Sequence, residues 1–185
     1  VRTDILYPTR TGNLEISGFN VEAQMRVSFF NTRPLNANAN AVSIEVLPLP
    51  SPIPASSLGT FRKLTATWKA DDKAEAKANE AINITLEFRG NGNLGLIGAP
   101  EINWPKDLEV FDPEIQDRIT TDLDGQRGRR TLTYLVIPRA EGSYELSLPE
   151  LSYYDHGLDR FVTLSPPPIA LNVIGNEQDE GPAFG

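Results

Sequence analysis

Seven residues, INITLEF at 82–88, alternate apolar and polar without a break. In an extended chain Ile82, Ile84, Leu86 and Phe88 share one face, and Asn83, Thr85 and Glu87 share the other. Successive side chains of a strand point to opposite faces, so this period of two predicts a strand with one buried side. The pattern recurs at 42–46 (VSIEV) and at 169–173 (IALNV). Residues 61–68 and 131–137 are rich in aromatic and β-branched side chains and bounded by polar or Gly/Pro punctuation, which also predicts strands. Residues 144–148 and 160–164 add two more. Many short strands separated by turn residues, drawn from 14 glycines and 15 prolines, predict an all-β chain built as an antiparallel sandwich. One segment departs from this. ADDKAEAKANEA at 70–81 is rich in helix formers but has no apolar stripe to bury, so it reads as a polar connection with room for one helical turn.

A duplication organises the strands. LYPTRTGNLEIS at 6–17 and VIPRAEGSYELS at 136–147 each place a proline, Pro8 and Pro138, four positions before a glycine, Gly12 and Gly142. A strand-like run follows each glycine. The first copy then passes the aromatic pair Phe29-Phe30 and closes on the alternating run ending at Val46. The second passes Tyr153, Tyr154 and Phe161 and closes on the run ending at Val173. Between the copies PLPSPIPASS, at 48–57, holds four prolines, which remove ladder donors and stiffen the chain into a semi-rigid linker. The predicted organisation is therefore 1–47 as the C-terminal part of a sandwich repeat, 48–57 as linker, 58–175 as a complete sandwich of roughly 100 residues, and 176–185 as a polar tail. The first sandwich is expected to be truncated, its partner strands lying upstream of Val1.

Charge and composition exclude several functions. Lys+Arg 17 against Asp+Glu 25 gives a net charge of −8, unfavourable for holding a phosphate backbone, so no nucleic-acid partner is expected. The basic cluster RGRR at 127–130 reads as a charged hairpin tip. The chain has no cysteine, which removes disulfides, thiol nucleophiles and thiolate metal sites together.

No candidate constellation assembles an active site. His156, the single histidine, lies in YYDHGLDR between Asp155 and Asp159, a setting that reads as a turn between strands. With one histidine and no G-x-S-x-G, a catalytic triad is hard to build. GNGNLG at 90–95 lacks the G-K-[ST] and the following helix that a phosphate loop requires, so it reads as a glycine-rich loop after a strand. Asp122-Leu123-Asp124-Gly125 opens like a calcium loop, but the twelfth position is Thr133 rather than glutamate, so an EF-hand is excluded. Incidental cation binding with Asp112, Glu114 or Asp117 is the alternative there. Trp68 reads as core. Trp104, in EINWP, reads as core or rim, with an exposed sugar platform as the alternative. No enzyme activity, cofactor or metal is expected.

The order of residues nevertheless resembles a known family. Phe61, then Gly90-Asn91-Gly92-Asn93-Leu94 with Pro100 and Pro105, then Arg130 and Tyr134-Leu135-Val136-Ile137-Pro138, lead into Gly142, Tyr144 and Leu151-Ser152-Tyr153-Tyr154-Asp155. This sequence is similar to the BatD family of bacterial oxygen-tolerance (aerotolerance) proteins, over about residues 1–174, with Tyr7-Pro8, Gly12 and Ile16 resembling the end of a preceding repeat. The resemblance implies tandem immunoglobulin-like antiparallel β-sandwiches in the periplasmic part of an inner-membrane-anchored protein, the anchor lying outside this segment. It implies as partners the other Bat proteins, with von Willebrand A-type and tetratricopeptide-repeat domains, and it brings no catalytic residues. The function expected is a non-catalytic scaffold or protein-interaction module, with a carbohydrate-binding or adhesive sandwich as the alternative. Asp112, Asp117, Asp122 and Asp124, which fall in what reads as one long connection, are the candidate partner-binding residues, together with Trp104.

Overall fold

A computed structural model describes residues 4–71 and 76–175. The predicted tail at 176–185, and residues 72–75 of the predicted polar connection, lie outside the described residues. The chain divides into two compact units, Leu6–Ser51 in one and Pro52–Gly185 with Val1–Ile5 in the other.

In the Leu6–Ser51 unit, β1 (Gly12–Ile16) pairs antiparallel with β4 (Val42–Val46), and β2 (Asn20–Ser28) pairs with β3 (Asn31–Asn38). One hairpin is thus nested inside another strand pair. Every residue of β2 and β3 is exposed. The aromatic pair Phe29 and Phe30 forms the turn between β2 and β3, and the two residues are 83% and 97% exposed. Their two rings stack edge to face on each other, 5.7 Å between centroids.

The second unit holds a seven-stranded sheet and a three-stranded one. In the larger, β5 (Ser57–Ala70), β7 (Ile82–Gly92) and β10 (Gly125–Pro138) are the long central strands. β12 (Leu151–Asp155) and β13 (Arg160–Leu164) extend it on the β5 side, and β8 (Leu108–Val110) and β9 (Glu114–Asp122) both pair with β10. The smaller sheet runs β11 (Gly142–Leu146), β14 (Ile169–Ile174), β6 (Ala76–Lys77). The only helical piece among the described residues is one 3-10 turn at Leu94–Leu96.

The alternating run at 82–88 forms the middle of this unit. Ile84, Leu86 and Phe88 of β7 are fully buried, and Ile82 nearly so. They meet Phe61, Leu64 and Trp68 of β5, Leu132, Tyr134 and Val136 of β10, Leu146 of β11, Tyr153 of β12, and Leu171 and Val173 of β14, so both sheets share one core. Burying large aliphatic and aromatic side chains on one face while the other stays wet is what the alternation encodes.

The duplicated stretch opens the same arrangement twice. Gly12 pairs opposite Val46 and Ile16 opposite Val42, with β2 and β3 between. Gly142 pairs opposite Val173 and Leu146 opposite Ile169, with β12 and β13 between. The copies then differ. β12 joins β5 and β14 joins β6, both in parallel register. A purely antiparallel arrangement does not contain these parallel pairs, in which strands of the second copy lie beside strands that precede it in sequence. Among the described residues β1–β4 have no such partners.

Two expectations change. Of segment 70–81, Ala70 ends β5 and Ala76–Lys77 make β6, and Asn79 takes a left-handed turn at φ 64, so the described part holds no helix. RGRR is not a hairpin tip. Residues 127–130 lie inside β10, paired to β7 on one side and β9 on the other, and the tip is at Leu123-Asp124.

Candidate functional site

The four candidate aspartates lie on or beside a strand rather than in a connection. β9 runs Glu114–Asp122, so Asp112 precedes it and Asp122 and Asp124 close it. Eight residue-to-residue steps separate its ends, about 26 Å at 3.3 Å per residue. The structure therefore keeps Asp112 apart from Asp122 and Asp124. Asp117, opposite Arg130 in the register, accepts a hydrogen bond from Arg130 Nη1 at 2.9 Å, and the same nitrogen donates to the Gly95 carbonyl at 2.9 Å. Asp122 pairs with Arg127 at 2.6 Å and accepts the Asp124 N–H at 3.0 Å, which is turn chemistry. Asp112 and Asp124 are exposed.

Trp104 is half-buried at the rim of the core, its ring tilted against Tyr134 with 5.4 Å between centroids. The platform that a sugar-binding alternative needs is thereby packed against protein. The Tyr134 hydroxyl is buried without a hydrogen-bond partner among the described residues, and burial pushes its pKa up to about 12. Trp68 is core, its indole N–H donating to the Pro167 carbonyl at 2.9 Å.

His156 occupies the exposed turn between β12 and β13. The buried Asp155 carboxylate is spent on that turn, accepting the N–H groups of Gly157 at 2.8 Å and Leu158 at 3.0 Å. The Tyr154 hydroxyl donates to Asp159, a bond that, with burial, raises the tyrosine pKa. Of GNGNLG, Gly90, Asn91 and Gly92 belong to the end of β7 rather than to a loop.

A different group of residues converges where sequence reasoning placed none. Register carries four strands side by side, β5, β7, β10 and β9. Lys63, Asn91, Arg127 and Thr120 form one cross-strand row, and Thr65, Arg89, Arg129 and Arg118 form the row two residues along. The row between them is Leu64, Gly90, Gly128 and Ile119, and Leu64 and Ile119 from it pack into or against the core. Alternation then puts both polar rows on the solvent face. They line an open trough of about 770 Å³.

The two glycines fix that trough. A Cβ on Gly90 would lie 2.3 Å from the Lys63 carbonyl oxygen, and one on Gly128 would lie 2.1 Å from the Arg118 carbonyl oxygen. Backbone cannot yield as a side-chain tip can, so β5 against β7 and β9 against β10 approach this closely only where glycine stands. Within the trough, Arg129 lies 3.5 Å from Glu87 and Arg127 pairs with Asp122. Lys63, Arg89 and Arg118 have no ion pair among the described residues. The basic residues come from positions 63, 89, 118, 127 and 129, too scattered to register as a cluster in sequence. Strand parity at 127 and 129 was the available signal, obscured by reading that segment as a tip.

The family described as BatD DUF11 like domain matches residues 69–173, which run from the end of β5 into β14. No curated protein matches, and no solved structure does.

Proposed function

Because this chain belongs to the BatD family, we propose that it works as a non-catalytic protein-interaction module of the bacterial envelope. In this reading it sits on the periplasmic side of an inner-membrane-anchored aerotolerance protein, and its partners are other Bat proteins with von Willebrand A-type or tetratricopeptide-repeat domains. Sheet faces and strand edges do the binding.

The observation that carries the reading is the family match, which covers residues 69–173, from the last two residues of β5 into β14. The nested strand pattern shared by β1–β4 and β11–β14 supports a repeated module along the sequence. An immunoglobulin-like character for the second unit is supported by Tyr144, whose hydroxyl donates to the Ala140 carbonyl at 3.0 Å, four residues upstream, as a tyrosine corner does. The non-catalytic part is supported by the uses already found for Asp155 and Asp117, which hold a turn and an arginine. No helix of the described residues is long and apolar enough to cross a membrane.

The test is capture of purified Bat partners on the immobilised chain. Retention of a von Willebrand A-type or tetratricopeptide-repeat partner is expected, and no retention of either sinks the proposal. Alanine at Asp112 and Asp124 probes the acidic contacts without breaking the Asp117–Arg130 or Asp122–Arg127 pairs, and weaker retention is expected if either end of β9 is at the interface.

A further inference from the structure

We propose that the basic trough across β5, β7, β10 and β9 is a docking surface for an acidic, extended segment of a partner protein. The proposal rests on the interaction-module reading and names the chemistry that one of its surfaces recognises.

The first ground is that the arrangement works against the fold. Arg89, Arg129 and Arg118 stand directly opposite one another on three neighbouring strands. Like charges facing across adjacent strands destabilise a sheet, whereas threonine or glutamine in the same places would not. Among the described residues only Arg129 of the three has a carboxylate within ion-pair distance, Glu87 at 3.5 Å. The chain as a whole carries a net charge of −8, so five cations lining one trough run against its composition. An anionic ligand laid over the row converts this repulsion into attraction.

The second ground is shape. The two rows lie two residues apart along each strand, about 6.6 Å, and cross four strands, three spacings of about 4.8 Å. An extended peptide laid across the strands between the rows turns successive side chains to opposite sides. An acidic run therefore offers carboxylates alternately to Lys63 and Arg127 on one side and to Arg89, Arg129 and Arg118 on the other. The guanidinium fork suits carboxylates in pairs. The close strand approach at Gly90 and Gly128 holds the rows at this spacing.

Charge around the trough selects a peptide over other polyanions. Along the strands it is bounded by carboxylates, Glu87 on one side and Asp122 on the other. A nucleic-acid backbone running beyond the strip would meet them. At the hairpin tip the exposed Leu123 is flanked by Asp122 and Asp124, which an anionic bilayer repels.

The experiment is fluorescence anisotropy of the 185-residue chain with a labelled peptide carrying six consecutive glutamates, against the same peptide with glutamines. The glutamate peptide is expected to bind, more weakly as sodium chloride is raised, and the glutamine peptide not to bind. Arg89→Glu with Arg118→Glu is expected to weaken binding about tenfold or more, given two exposed contacts reversed. Arg89→Gln with Arg118→Gln, checked for native circular dichroism, is the decisive pair if charge reversal disturbs folding. Equal binding of both peptides, or unchanged affinity in the folded glutamine variant, overturns the proposal. So does tighter binding of a single-stranded oligonucleotide or phosphatidylglycerol vesicles through the same arginines. Peptide binding uses no Bat protein, so loss here with partner capture intact removes the trough alone, and the reverse result removes the module reading alone.

Discussion

Tyr134 shows how an individual residue serves packing at the expense of its polar atom. Its ring fills core between β10 and Trp104, and its hydroxyl is carried inside with nothing to bond among the described residues. An unsatisfied buried hydroxyl costs free energy that phenylalanine would not incur. Tyr134→Phe is expected to leave stability unchanged or raise it by about 1 kcal/mol, read from urea unfolding. The pH dependence has a definite sign. The folded pKa, about 12, lies above the ordinary 10.0, so the unfolded chain gives up this proton first as pH rises. The contribution is complete below pH 10 and is lost between there and about pH 12. Tyr154, raised by its bond to Asp159, acts in the same direction. The phenylalanine variant should therefore show a shallower fall of stability in that alkaline window, and an identical fall would mean the hydroxyl is not buried in solution.

Strands that read alike in sequence end in different circumstances. The alternation at 42–46 and at 169–173 is the same pattern, and both runs form strands, β4 and β14. β14 buries Leu171 and Val173 in a core shared with β5, β7 and β10, whereas Val42 and Ile44 of β4 stay exposed. Alternation specifies which face is apolar but not what covers it. The four strands of Leu6–Ser51 make two ribbons of two strands each, and isolated two-stranded ribbons are marginal in water. A fragment 6–51 is expected to show no cooperative thermal transition, and a fragment 52–175 to melt cooperatively by circular dichroism. A sharp transition in the first fragment would show that its nested strands hold together unaided. The strand β9 was missed because its sequence, EIQDRITTD, has two isoleucines among polar residues and is exposed along most of its length. It is held by the β10 ladder, by Asp117 against Arg130 and by the single side chain of Ile119 against the core, rather than by a continuous apolar face.

At the scale of the whole molecule, stability and recognition are unevenly distributed. The buried side chains belong to one unit, and the exposed large apolar ones include Phe19, Val27, Phe29, Phe30 and Leu35 of the other. Leu86→Ala, which empties a fully buried site, is expected to cost about 2–5 kcal/mol. Leu35→Ala, at 54% exposure on β3, is expected to change global stability by less than about 0.5 kcal/mol, both by denaturant titration. A comparable loss at Leu35 would indicate that the ribbons bury it in solution. Sequence alone determined the all-β class, the position of most strands, the duplicated opening and the family, because each is written in local periodicity or in the order of residues along the chain. Tertiary structure decided the rest. Parallel pairing of β12 with β5 and β14 with β6 depends on which distant edge a strand meets. Asp112 is separated from Asp122 by the length of a strand, and Lys63, Arg89, Arg118, Arg127 and Arg129 are gathered into one trough, because cross-strand neighbours are set by register. No local stretch of sequence records register.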